Sequence, residues 1–179
     1  MGLGDDMEYF KITQKENIPN VVKLMLKPKY PHQRKIAFEK KDRLTQIATI
    51  FIRSTENSTF PDIYDVPAFI VSDRLRKLLE IYDNDIIFKC AVLTNPRTND
   101  QYVYFLTIVN SIDCAHKRSE FYGNGSLKKL VIGKNKADGN KVFRVKGVRE
   151  HFIYVSLDVA ESMLRRGFLG IHFEKVESL

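Results

Sequence analysis

The chain has 179 residues, of which 44% are hydrophobic and 28% charged. This ordinary globular composition excludes collagen-like and wholly disordered classes, and a chain of this length buries roughly 70% of its unfolded surface without needing a staple. No apolar run approaches the roughly 18 residues of a spanning helix, and the start MGLGDDMEYF lacks the basic and apolar regions of a signal peptide. The expectation is a cytoplasmic protein with no membrane contact. The net charge of +7 is local. Between Lys128 and Arg149 eight basic residues stand against Asp138 alone.

Residues 1–6 pattern with nothing that follows and read as a flexible leader, or as residues before an alternative start at Met7. Residues 7–179 are expected to form one domain. MEYFKI alternates as a first strand, and the prolines of NIPNVVKLMLKPKYPH confine residues 19–35 to strand and loop. TQIATIFIR, apolar on both faces, predicts a central strand, with STENSTFPD as an exposed connection. In PAFIVSDRLRKLLEIY an apolar strand end precedes Ser72 as N-cap and Asp73 in the first turn. Leu75, Leu78 and Leu79 then form one apolar helix stripe. IIFKCAVL reads as a strand, and QYVYFLTIVNSIDC as the strongest strand of the chain.

Turn signals at GNG and DGN flank LKKLVIGK and KVFRV, which predicts an exposed hairpin between those two segments. The C-terminal HFIYVSLDVAESMLRRGFLGIHFEKV repeats the earlier pattern. Ser156 is its N-cap, Ala160, Met163 and Leu164 its stripe, and Gly167 its left-handed C-cap. The fold expected is α+β, a mostly antiparallel sheet with a few short helices, including two similar strand-helix-strand units at Ser72 to Phe88 and Ser156 to Phe173.

No phosphate loop, dinucleotide fingerprint or nucleophile elbow is present, and no cofactor is expected. Cys114 and His116 alone are too few ligands for zinc, so no metal is expected, and Cys90 and Cys114 read as free thiols. Asp113, His116 and Ser119 could be drawn together as an acid-base set, but polar residues after a strand more often hydrogen-bond backbone. Lys128, Lys129, Lys134, Lys136, Lys141 and Arg144 are the candidate partner-binding residues, forming one positive patch. With Phe121, Tyr122 and Phe143 as stacking side chains, the same segment could bind nucleic acid. That is the second reading; the enzyme is the third, and no small-molecule substrate is identified.

The PDI motif (Pro61, Asp62, Ile63), the FIVSDRL helix start with Ser72 and the strand ending IVNSIDC with Asn110 and Asp113 come in one order with further motifs. These are Ser119, VFRV with Phe143, IYVS with Ser156, and RRGFLGIHFEKV with Gly167, Gly170 and Phe173. Together they resemble a family of bacterial immunity proteins from polymorphic toxin systems, immunity family eleven, formerly a domain of unknown function. The resemblance spans residues 61–176 and leaves residues 7–60 unmatched. One departure is His116, where the family often carries a second acidic residue. The resemblance implies a non-enzymatic, cytoplasmic protein that neutralises a cognate toxin by binding it, with the named motif residues serving structure.

Overall fold

The computed structural model describes residues 7–25, 48–66 and 68–179. The predicted leader and part of the 19–35 segment lie outside these residues. The strands are β1 (Tyr9–Gln14), β2 (Lys23–Met25), β3 (Ala48–Arg53), β4 (Ile63–Tyr64), β5 (Ile70–Ser72), β6 (Ile87–Thr94) and β7 (Gln101–Ile108). They continue with β8 (Ser111–Ile112), β9 (Glu120–Phe121), β10 (Leu127–Lys129), β11 (Val131–Ile132), β12 (Val142–Val145), β13 (Ile153–Ser156) and β14 (Ile171–Ser178). Among the described residues there are three helices: α1 (Asp73–Tyr82), α2 (Lys134–Ala137) and α3 (Leu157–Arg165).

Among the described residues the strands form two six-stranded sheets, ordered β11-β14-β1-β13-β12-β8 and β2-β3-β6-β7-β5-β4, and a separate ribbon of β9 and β10. Pairing is antiparallel except between β11 and β14, β12 and β8, and β3 and β6. In the second sheet α1 connects β5 to β6, with β7 antiparallel between them. In the first, α3 connects β13 to β14, and the strand between is β1, drawn from the chain's start.

Period-two alternation decides which core each strand serves. Ile12, Ile153 and Val155 face a shared core with Ile63, Val71, the α1 leucines 75, 78 and 79, and Val159, Ala160 and Met163 of α3. Their neighbours Tyr9 and Tyr154 face a second core with Cys114, Ile132 and Phe143. On the far side of the other sheet, Ile52, Tyr64, Ile70, Leu93 and Tyr104 form a third. Both main helices therefore lie between the sheets, and the Tyr82 hydroxyl of α1 meets the Ser162 hydroxyl of α3.

Four sequence expectations are corrected. The third residue of the α3 stripe is wrong, because Val159 is buried while Leu164 is 63% exposed. LKKLVIGK and KVFRV do not pair with each other. β11 joins β14 and β12 joins β13, because their apolar residues are claimed by the second core. The long strand through IVNSIDC breaks at Val109 and resumes only as β8. β3 is not apolar-packed on both faces, since Phe51 stands 43% exposed beside exposed Thr49 and Arg53.

Candidate functional site

Two constellations gather the residues singled out from sequence. The first is a clamp between α1 and the α3–β14 turn. Ser72 ends β5 and caps α1, its hydroxyl accepting the Leu75 N–H at 3.2 Å while donating to the Asp62 carboxylate at 2.5 Å. The other Asp62 oxygen accepts the Leu169 N–H at 2.7 Å. Backbone bonds from Asp62 N–H to Leu169 C=O and from Ser72 N–H to Asp62 C=O complete the link. Asp62 is buried, so its charge is held by these donors instead of by water.

The same turn needs glycine twice. Gly167 has φ +59° and Gly170 φ +80°, and a Cβ on Gly170 would stand 2.7 Å from the Pro61 Cβ. Arg74 donates to the Arg166 carbonyl at 2.5 Å and lies 4.5 Å over the Phe168 ring. Pro61, Asp62, Ser72, Gly167 and Gly170 are thus brought together, and Phe173 packs on the shared core behind them. Ser156 stands at the N-cap position of α3, but its hydroxyl donates to the Asp158 carboxylate at 2.5 Å and makes no cap bond.

The second constellation is a long hairpin running from Ala115 to Ile132. Those two residues bridge, Glu120 pairs with Lys129, and Phe121 with Leu127. Between the bridge and the ladder, Lys117 and Arg118 form a turn. Ser119 closes the gap, since its hydroxyl donates to the Val131 carbonyl at 3.1 Å and accepts the Val131 N–H at 3.0 Å. At the tip Tyr122 N–H bonds Ser126 C=O, Gly125 N–H bonds Tyr122 C=O, and the Asn124 side chain accepts from Ser126. The β12–β13 loop braces this hairpin from the side: Arg149 donates to the Asn124 carbonyl at 2.9 Å, and the Glu150 carboxylate accepts the Leu127 N–H at 3.1 Å. Phe121 and Tyr122 stand 46% and 55% exposed at its end.

The six candidate partner-binding residues are spread over several elements. Lys128 and Lys129 lie on β10, Lys134 and Lys136 on α2, Lys141 just before β12, and Arg144 on β12. Four meet carboxylates, namely Lys128 with Glu120 at 2.7 Å, Lys129 with Glu177 at 2.6 Å, Lys136 with Asp113 at 4.0 Å and Lys141 with Asp158 at 3.0 Å. Lys128 holds the Glu120 carboxyl below its ordinary range, and Lys129 does the same for Glu177. Arg144 is half-buried against the His151 ring, and burial lowers its pKa. Half of the eight basic residues counted between Lys128 and Arg149 are therefore met in space by carboxylates from outside that stretch.

Asp113 is exposed and faces Lys136, so it does not hold backbone as expected; the strand has already broken before it. His116 accepts the Arg118 N–H through Nδ1 at 3.3 Å. With Ser119 engaged by Val131, the three side chains of the enzyme reading each have a different partner. Phe143 is fully buried and cannot stack on a base, while Asn110 serves through its carbonyl, which accepts the Arg144 N–H at 2.9 Å. Both cysteines are free, Cys114 buried and Cys90 half-buried. Among the described residues no group of three or more His, Cys, Asp or Glu could hold a metal ion, and no helix is long and apolar enough to cross a membrane. Sequence reasoning missed the bracing by Arg149 and Glu150, which no local spacing marks.

A family model described as "Immunity protein family (Imm11)" matches residues 7–178. No curated protein matches the chain. The match begins at residue 7 and so takes in the 7–60 segment that the motif resemblance had left out. β1 lies inside the first sheet between β14 and β13, so Tyr9–Gln14 of that stretch pair within the fold's first sheet.

Proposed function

The chain belongs to the immunity protein family (Imm11), and on that premise we propose that it neutralises a cognate bacterial toxin by binding it, in the cytoplasm of a cell exposed to that toxin. The family match across residues 7–178 carries this reading. The Asp113, His116 and Ser119 side chains meet three different partners, Lys136, Arg118 and Val131, so this structure does not draw them into one relay.

In this reading residues 7–179 act as one α+β domain with two equivalent strand-helix-strand units. β1 takes beside β13 and β14 the place that β7 takes beside β5 and β6. Of the motif residues, Pro61, Asp62, Ser72, Gly167 and Gly170 hold these units together, and the basic segment with Lys128, Lys129, Lys134, Lys136, Lys141 and Arg144 faces the toxin. Charge there speeds encounter and selects the partner more than it adds affinity. The experiment is co-expression with the product of the adjacent coding sequence. The chain should restore growth to cells that this product arrests, and co-purify with it. Arrest that persists at full expression of the chain, with no complex formed, would reject the function for that pair.

A further inference from the structure

We propose that the tip of the β9–β10 hairpin is the anchor of the complex, with Phe121 and Tyr122 inserted into an acidic, concave surface of the toxin. This rests on the immunity reading above and names the surface that carries it. A two-stranded ribbon is marginally stable alone. Here Leu127 packs one end of it on the second core, and the rest is held by polar groups outside any core: the Ser119 hydroxyl, the Arg149 guanidinium, the Glu150 carboxylate and the Asn124 side chain. Such bracing fixes a tip before binding, which lowers the entropy lost on association.

What the braced tip presents is two aromatic side chains, consecutive in sequence and each half in water. Tyrosine and arginine are enriched in binding hot spots, and large aromatics dominate interface energetics. Over residues 115–129 and 144–151, the hairpin and the loop that braces it, seven basic residues stand against two acidic ones. Lys117, Arg118, Lys146 and Arg149 are all exposed. Charge complementarity therefore calls for an acidic partner surface, and the narrow aromatic tip for a concave one.

A nucleic acid fits less well. Glu120 lies on the strand beside Phe121 and Glu150 at the hairpin's side, placing carboxylates where a bound strand would carry phosphates. The buried Phe143 also removes the third stacking ring.

The test uses the full chain and the product of the adjacent coding sequence, with association and dissociation measured at low and moderate salt. The Phe121→Ala/Tyr122→Ala variant should raise Kd by at least about 30-fold, chiefly through faster dissociation. Lys117→Glu/Arg118→Glu should slow association roughly tenfold at low salt and much less at moderate salt. Leu164→Ala, truncating an exposed apolar side chain on α3, should leave both rates unchanged, and thermal unfolding checks that each variant is folded. If the wild type binds and the double alanine variant binds within about threefold, the hairpin is not the anchor and the immunity reading stands. If the wild type neither binds nor protects, both fall. Salt-sensitive binding of single-stranded RNA that the double alanine change abolishes, with toxin binding intact, would assign the tip to nucleic acid and overturn the proposal.

Discussion

Replacing Asp62 by alanine removes two hydrogen bonds to a charged acceptor and leaves the Leu169 N–H without a partner. Bonds to charged groups contribute about 1.5 to 3 kcal/mol each. Ser72 and Leu169 are both partly exposed, so the lower end applies, and the pair together contributes about 3 kcal/mol. In a domain of this size that loss lowers the melting temperature by roughly 6 to 12 °C. Asp62→Asn keeps one acceptor and turns an amide N–H2 toward the other donor, so it should cost about half as much. In a double-mutant cycle with Ser72→Ala the coupling should be about 1 kcal/mol, because the two side chains touch directly. Urea unfolding followed by circular dichroism measures all five proteins: the parent, Asp62→Ala, Asp62→Asn, Ser72→Ala and the Asp62→Ala/Ser72→Ala double variant. An Asp62→Ala cost below about 0.5 kcal/mol, or an asparagine variant less stable than the alanine one, would refute the clamp.

Gly170→Ala should cost about 2 to 4 kcal/mol and Gly167→Ala about 1 kcal/mol, both by urea unfolding. Each forces alanine into left-handed backbone, but only at Gly170 would the Cβ meet Pro61 and Ile18. Ser72→Ala should destabilise by about 1 kcal/mol more than Ser156→Ala, because only the Ser72 hydroxyl caps its helix. Burial pushes the Asp158 carboxyl up, but hydrogen bonds from Ser156 and Lys141 outweigh it and hold it below its ordinary range. Its contribution is present above the unfolded carboxylate value near pH 4 and lost as pH falls through the lower folded value, so Asp158→Asn should flatten the acid limb of a stability profile. Burial pushes the Cys114 thiol up to about 11, so a thiol reagent at neutral pH should modify half-buried Cys90 first and reach Cys114 only on unfolding.

Local signals reached the elements whose partners lie close in sequence. Ser72, Asp73 and the leucine stripe announce α1, and Gly167 announces the end of α3, because caps and stripes are set within a few residues. The pairing of LKKLVIGK was not legible. Val131 and Ile132 could join any apolar neighbour, and the choice of β14 is made by the second core and by a strand about 45 residues away in the chain. Clamp and hairpin differ in the same way. PDI and RGFLG stand out as motifs because proline and glycine are legible singly, yet their meeting across more than 100 residues is a tertiary fact. The bracing of the hairpin by Arg149 and Glu150 gave no sequence sign at all, since an exposed Arg-Glu pair is the commonest kind of surface.

The two constellations sit in different layers, and this separates stability from binding. The clamp ties α1 to the turn before β14 at the shared core, whereas the hairpin roots through β11 and Ser119 beside the second core. A change at Asp62 or Gly170 should lower the population of folded protein and weaken toxin binding only in that proportion. A change at Phe121 or Tyr122 exposes no buried group and leaves the fold's hydrogen bonds in place, so it should act on the complex alone. The motifs that carry the family likeness then describe how the scaffold is held. Under the proposal above, the toxin is recognised instead at the exposed tip, where replacing Phe121 or Tyr122 removes no buried side chain.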